Sequence, residues 1–152
     1  MKQPSAEHST FTIERRYPHP LERVYKAWSD PAAKARWFIG PPGKWTLRKR
    51  EMDFRLGGRE CVEGQVADGP VTRFDAHYLD IQPGRRLVYS YVMHLDQRMI
   101  SISLATVEFE EAGKETRLVV TEQGAFVNGY EDNGNREKGT RDLLEQIAQT
   151  LD

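Results

Sequence analysis

Asn135 to Asp152, NREKGTRDLLEQIAQTLD, is the stretch that decides the fold of this 152-residue chain. Its large apolar residues, Leu143, Leu144, Ile147 and Leu151, fall with Ala148 into one stripe at helical spacing. Arg141, Asp142, Glu145, Gln146 and Gln149 occupy the other side. Asn135 is placed to cap the start, and Glu137 sits in the first turn, where the helix dipole favours an anion. The spacing predicts a helix over residues 136–151, roughly 24 Å long at about 1.5 Å per residue. Such a helix must bury its stripe, with Leu143 and Ile147 inward and Arg141 and Glu145 in solvent.

What precedes the helix reads as strands. Phe11, Ile13 and Tyr17 share one face of a first strand, and the polar residues 1–9 before it are expected to fray. Leu21, Val24, Tyr25 and Trp28 recur at helical spacing. Asp30-Pro31 is the cap and first residue of a second short helix that ends near Trp37-Phe38. Ile39-Gly-Pro-Pro-Gly43 permits neither helix nor ladder. From Trp45 on, strands are read over 45–54, 59–67, 71–81, 87–95, 100–109 and 116–123, with a loop over 124–134. The first is expected to be bulged, because its alternation changes parity between Leu47 and Met52. The connections are too short for parallel crossovers, so the sheet is antiparallel. The prediction is an α+β fold: a curved antiparallel sheet of six or seven strands around the long C-terminal helix, with two short helices after the first strand. No linker or repeat divides the chain, which is read as one domain over 10–152.

Composition narrows the function classes. The 22 basic and 23 acidic residues leave a net charge of -1, so no global field draws the chain to nucleic acid or anionic lipid. No apolar run approaches a membrane span, and the N-terminal MKQPSAEHST has no apolar signal core. Cys61 is the sole cysteine, which fits a reducing cytoplasm and excludes an internal disulfide. Arg48-Lys49-Arg50 and Arg85-Arg86 are short, interleaved with acids and read as solvated faces.

The motifs that remain carry little explicit chemistry. His8, His19, His77 and His94 lie on separate segments without ligand spacing, so no metal site is expected. Residues 131–135 lack the acidic alternation of a calcium loop, and residues 134–140 lack the lysine and the preceding strand of a phosphate loop. Cys61 sits mid-strand without a neighbouring base. No cofactor and no catalytic residue is assigned.

Arg15-Arg-Tyr-Pro-His-Pro20, Glu22-Arg-Val24-Tyr-Lys-Ala27-Trp28 and Asp30-Pro31 resemble the opening of the family related to the activator of Hsp90 ATPase. So do Trp37-Phe38, Asp53-Phe-Arg55-Leu-Gly57-Gly58 and Asp80-Ile-Gln-Pro83-Gly-Arg-Arg86-Leu87-Val-Tyr89, in the expected order. The resemblance covers nearly the whole chain and implies the helix-grip fold of START-like ligand-cavity proteins. One departure is that Thr140 follows Gly139 where a tryptophan is common, which predicts a more open or more polar cavity mouth.

On residue pattern the cavity lining is expected from Trp45, Phe74, Tyr89, Tyr91, Met93 and Ile102, with His77 as a polar handle and Leu143 and Ile147 from the helix. The plain alternative is that these aromatics fill an ordinary core. The leading reading is a non-enzymatic binder of a small hydrophobic or aromatic molecule, as a monomer or homodimer. A protein-interaction module acting on a chaperone, as the family name implies, is the alternative. A cavity enzyme of the cyclase, dehydratase or hydrolase type is the third.

Overall fold

A computed structural model describes residues 4–151. Seven strands form one antiparallel sheet in the order β1-β7-β6-β5-β4-β3-β2. They are β1 (Ala6–Tyr17), β2 (Trp45–Met52), β3 (Arg59–Val66), β4 (Val71–Gln82), β5 (Arg86–Leu95), β6 (Arg98–Ala112) and β7 (Glu115–Val127). Consecutive strands from β2 to β7 are neighbours joined by short turns, such as the one at Gly84, whose φ of 71° suits a residue without Cβ. β1 and β2 lie on opposite edges, and α1 (Leu21–Ser29) and α2 (Pro31–Trp37) carry the chain between them. The long helix α3 (Asn135–Leu151) follows β7. This is the α+β helix-grip arrangement: one curved sheet, with the helices on its concave side.

Several local signals act as read. The Asp30 carboxylate accepts from the Ala33 N–H at 2.9 Å, with Pro31 opening α2. The register of β2 on β3 shifts between Leu47 and Lys49, which is the expected bulge. Other boundaries differ. β1 starts at Ala6 rather than near Phe11, so residues 6–9 are paired strand and not frayed; residues 1–3 lie outside the described part. These residues bury little side chain, but their backbone extends the ladder from Ala6 opposite Val127 to Ser9 opposite Gly124. For the same reason β7 runs to Val127, and the loop before α3 shrinks to residues 128–134.

The cap of α3 also differs. Asn135 is already helical, and the Asp132 carboxylate accepts from the Arg136 N–H at 2.9 Å. Along α3, Leu144, Ile147 and Leu151 are buried, while Leu143 is only half-buried. The C-terminal half of the helix is fastened from two sides. The Tyr17 hydroxyl donates to the Leu144 carbonyl at 2.9 Å, and Arg15 pairs with Glu145 at 2.6 Å. Gln146 donates to the Trp37 carbonyl at 2.6 Å. Under it lies a core of edge-to-face aromatic pairs, including Trp28–Trp37 at 4.7 Å and Tyr25–Phe109 at 5.3 Å between ring centroids.

One buried ion pair was not foreseen. Lys34 of α2 and Glu60 of β3 are each 2% exposed and meet at 2.6 Å, and the Tyr78 hydroxyl donates to the same carboxylate oxygen at 2.6 Å. The ammonium also lies 4.7 Å from the Phe38 ring centroid and within 6.0 Å of Trp28, Trp37, Phe74 and Tyr89. The pair fixes α2 to the sheet and closes the core at that end.

Two stability outcomes follow. Leu144→Ala should cost roughly 2–5 kcal/mol in urea denaturation, and Leu143→Ala clearly less, because Leu143 is only half-buried. Glu60→Gln strands the Lys34 charge and should cost about 3–5 kcal/mol, whereas replacing the whole set, Lys34→Met with Glu60→Leu and Tyr78→Phe, recovers most of that loss. Equal costs for the two leucines, or an unchanged midpoint for Glu60→Gln, would contradict this packing.

Candidate functional site

The N-terminal half of α3 stands off the sheet, and a cavity of about 630 Å³ opens between it, the segment after α2 and the concave sheet face. On β5, Tyr89, Tyr91 and Met93 share the inner side and all line it. Phe74 joins from β4, Trp45 from the start of β2 and Leu143 from α3. Trp45 is seated by two glycines: a Cβ on Gly40 or on Gly64 would come within 2.3 Å of its ring. Only glycine at both places lets the indole lie flat across β3.

Three expected lining residues lie elsewhere. His77 alternates with the inward Ala76 and Tyr78, so it faces solvent on the outer side of β4. Ile102 is 41% exposed on the outer side of β6, where Ser101 and Ser103 take the inner positions. Hydrophobicity suggested the opposite facing, but the two hydroxyls have partners inside. Ile147 is fully buried, packed under the docked half of α3 and away from the cavity.

Those partners form a polar corner that the sequence reading missed. Arg136, in the first turn of α3, reaches down over the small inner residues of β6. Its Nη1 donates to the Tyr91 hydroxyl at 3.0 Å and to Ser103 Oγ at 3.2 Å, and its Nη2 donates to Ser101 Oγ at 2.8 Å. The guanidinium also lies 5.4 Å from the Tyr91 ring centroid and 5.2 Å from that of Phe126. Glu122 of β7 is buried beside it, with a carboxylate oxygen 3.8 Å from Nη1, beyond hydrogen-bond distance. Gly124 makes the room: a Cβ there would sit 2.9 Å from Ser103 Oγ. Two signals were legible in the sequence. Glu122 shares the inward parity of Leu118 and Val120, and Arg136 is a cation at a helix N-terminus, where the dipole disfavours it.

The electrostatics of the corner raise both of its acids. Burial pushes the Glu122 carboxyl above the usual range and Asp132 adds to this, against the opposing pull of the Tyr91 hydrogen bond and Arg136. Burial, and then Glu122, raise the Tyr91 phenol as well. Both groups shift in the same direction, unlike an acid and base pair set apart by their surroundings. Cys61, on the outer side of β3, has its thiol raised by burial and then by Asp75, so it is not an activated nucleophile. Among the described residues no three His, Cys, Asp or Glu side chains gather as a metal site. Among the described residues no helix is long and apolar enough to cross a membrane.

The sequence profile described as Activator of Hsp90 ATPase homolog 1-like protein matches residues 18–152. Among solved structures, an uncharacterized protein from Rhizobium leguminosarum superposes with a TM-score of 0.92 at 44% identity, covering 97% of this chain and 96% of its own. A protein from Rhizobium loti gives 0.88 at 44% identity, over 97% and 99% of the two chains. One from Chromobacterium violaceum gives 0.78 at 27% identity, over 93% and 96%. No curated protein matches the chain.

The raised Glu122 fixes the sign of a pH effect. Its folded state holds the proton more tightly than the unfolded chain, so its contribution to stability is lost as pH rises from the ordinary glutamate value of 4.5 through the raised one. Glu122→Gln should therefore raise Tm at pH 7–8, with the gain shrinking as pH falls toward 4.5. Thermal melts across that range check it, and a variant less stable than wild type at pH 8 would show that the ionised Glu122–Arg136 pair is the favoured state.

Proposed function

We propose that this chain, which belongs to the Activator of Hsp90 ATPase homolog 1-like family and has its ligand-binding fold, holds a small, mainly apolar molecule between α3 and the sheet without transforming it. The observation that carries this is the cavity itself. About 630 Å³ lies within the range of small-molecule sites, and its wall is aromatic with polar groups gathered at one corner. Tyr89, Tyr91, Phe74, Trp45, Met93 and Leu143 are the residues proposed to contact the ligand. An interaction module that worked through its surface would have little reason to keep such a space. The large apolar side chains left exposed, Leu47, Leu56, Val66, Leu79 and Ile102, come from several strands and turns of the sheet.

Gly139 supplies a clean test. It lines the cavity from α3, and a Cβ built there meets nothing within 4 Å. Gly139→Leu should fill the space and also remove a helix glycine, a change worth roughly 1 kcal/mol in the helix's favour. In a thermal-shift screen of apolar and aromatic metabolites, a true ligand at a hundredfold excess over its Kd should stabilise the wild type by about 2.7 kcal/mol. The same compound should leave Gly139→Leu unmoved. If no compound shifts the wild type, or if hits shift Gly139→Leu equally, the cavity is not the site and the protein-partner reading takes its place.

A further inference from the structure

We infer that the ligand is an apolar molecule with a carboxylate head, its body against the aromatic wall and its head received by the Arg136 guanidinium. This rests on the cavity being the binding site and names the class of molecule it takes. Arg136 is held in place by hydroxyls, which are neutral acceptors, and the carboxylate beside it, Glu122, stands 3.8 Å from Nη1 without accepting a hydrogen bond. Three of its five N–H groups are used this way, and the Nε–H and one Nη2–H have no acceptor among the described residues. A guanidinium with N–H groups to spare on neighbouring nitrogens suits a planar two-oxygen acceptor.

The carboxylates present do not fill that role. Asp132 spends its Oδ1 on the Arg136 backbone N–H. Glu122 stays 3.8 Å away, too far for a hydrogen bond, and burial raises its carboxyl above the usual range. Further along α3, Glu137 pairs with Arg141 at 2.9 Å, and Asp142, which lines the cavity, pairs with Lys138 at 3.0 Å. Elsewhere in the same protein, a matched buried pair looks different: Lys34 and Glu60 meet at 2.6 Å with a tyrosine hydroxyl completing the set. The Arg136 corner is a charge pair without a direct hydrogen bond, at a residue that lines the cavity.

A proton accompanies the ligand. The groups that face Glu122 are Arg136 from α3, Asp132 from the loop before it, and Tyr91 and Tyr89 from β5. When a second carboxylate takes the guanidinium, Glu122 loses part of the attraction that keeps it ionised and binds a proton from solvent. Carboxylate affinity then rises as pH falls through the raised Glu122 value, until the ligand's own carboxyl protonates.

The test uses naphthalene-2-carboxylate, naphthalene-2-carboxamide and naphthalene in isothermal titrations of the full chain. At pH 6–7 the carboxylate should bind about tenfold tighter than the amide, the difference between a charge-assisted and a neutral hydrogen-bonded head. Titrations in buffers of different ionisation heat should show net proton uptake for the carboxylate alone. Glu122→Gln should tighten the carboxylate and flatten its pH dependence. Arg136→Met should erase the preference while the amide still binds; if that variant does not fold, the wild-type preference and the Glu122→Gln profile decide. Equal or tighter binding of the amide, or a preference that survives Arg136→Met, overturns the carboxylate assignment and leaves the cavity reading standing. Failure of all three compounds on folded wild type overturns both.

Discussion

A straight helix cannot follow a concave sheet along its whole length, and the molecule is arranged around where contact is made and where it is not. The 17 residues of α3 span roughly 26 Å, and the docked part is the C-terminal half. There Leu144, Ile147 and Leu151 are buried, Tyr17 holds the Leu144 carbonyl, and Gln146 ties the helix to the end of α2. Burying each such leucine or isoleucine contributes about 1.5–3 kcal/mol, so a few well-packed residues suffice to anchor the helix. The N-terminal half is then held above the sheet by its attachment to β7, and the space beneath it is a consequence of geometry before it is a site.

Two cations point inward, Lys34 in the core and Arg136 at the cavity, and their difference is informative. Lys34 meets Glu60 at 2.6 Å, with Tyr78 completing the carboxylate's hydrogen bonds and aromatic rings around the ammonium. That arrangement offsets the desolvation of both charges and leaves nothing over for a ligand. It also fixes α2, and with it Phe38, whose carbonyl accepts from Arg50 at 2.8 Å. At the cavity Arg136 is held by hydroxyls and faces a carboxylate that burial disfavours as an anion. The first pair serves cohesion, and the second has the unfinished hydrogen bonding that recognition uses.

The sequence was legible where a local signal has a single structural solution. Asp30-Pro31 can only start a helix comfortably, and the parity change between Leu47 and Met52 required a bulge. Tyr89, Tyr91 and Met93 had to share a face once β5 was a strand. It was less legible where periodicity shows two faces but not which one is inside. On β6 the apolar Ile102 was assigned inward, whereas Ser101 and Ser103 are inside because Arg136 supplies their partner. That partner comes from a residue more than 30 positions away, which no local pattern encodes. On α3 the choice between Leu143 and Leu144 turned on the angle at which the helix meets the sheet. At the N-terminus the error was of another kind: polar residues were read as unpaired, although backbone pairing does not require apolar side chains.

The Gly139-Thr140 dipeptide shows how the cavity is kept open. Both residues line it from the raised half of α3, and neither carries a side chain large enough to reach across. Of the two expectations for the mouth, more open or more polar, the Thr140 hydroxyl does not supply the second, because it donates to the Arg136 carbonyl at 2.9 Å within the helix. The residue that departs from the family pattern thus contributes space rather than polarity. Polarity comes one turn earlier, from Arg136 itself. A larger side chain at residue 140 would take up part of the cavity that Thr140 lines. The small side chains at 139 and 140 and the open side of Arg136 are therefore parts of one arrangement, in which the helix supplies the cation and also leaves the approach to it clear.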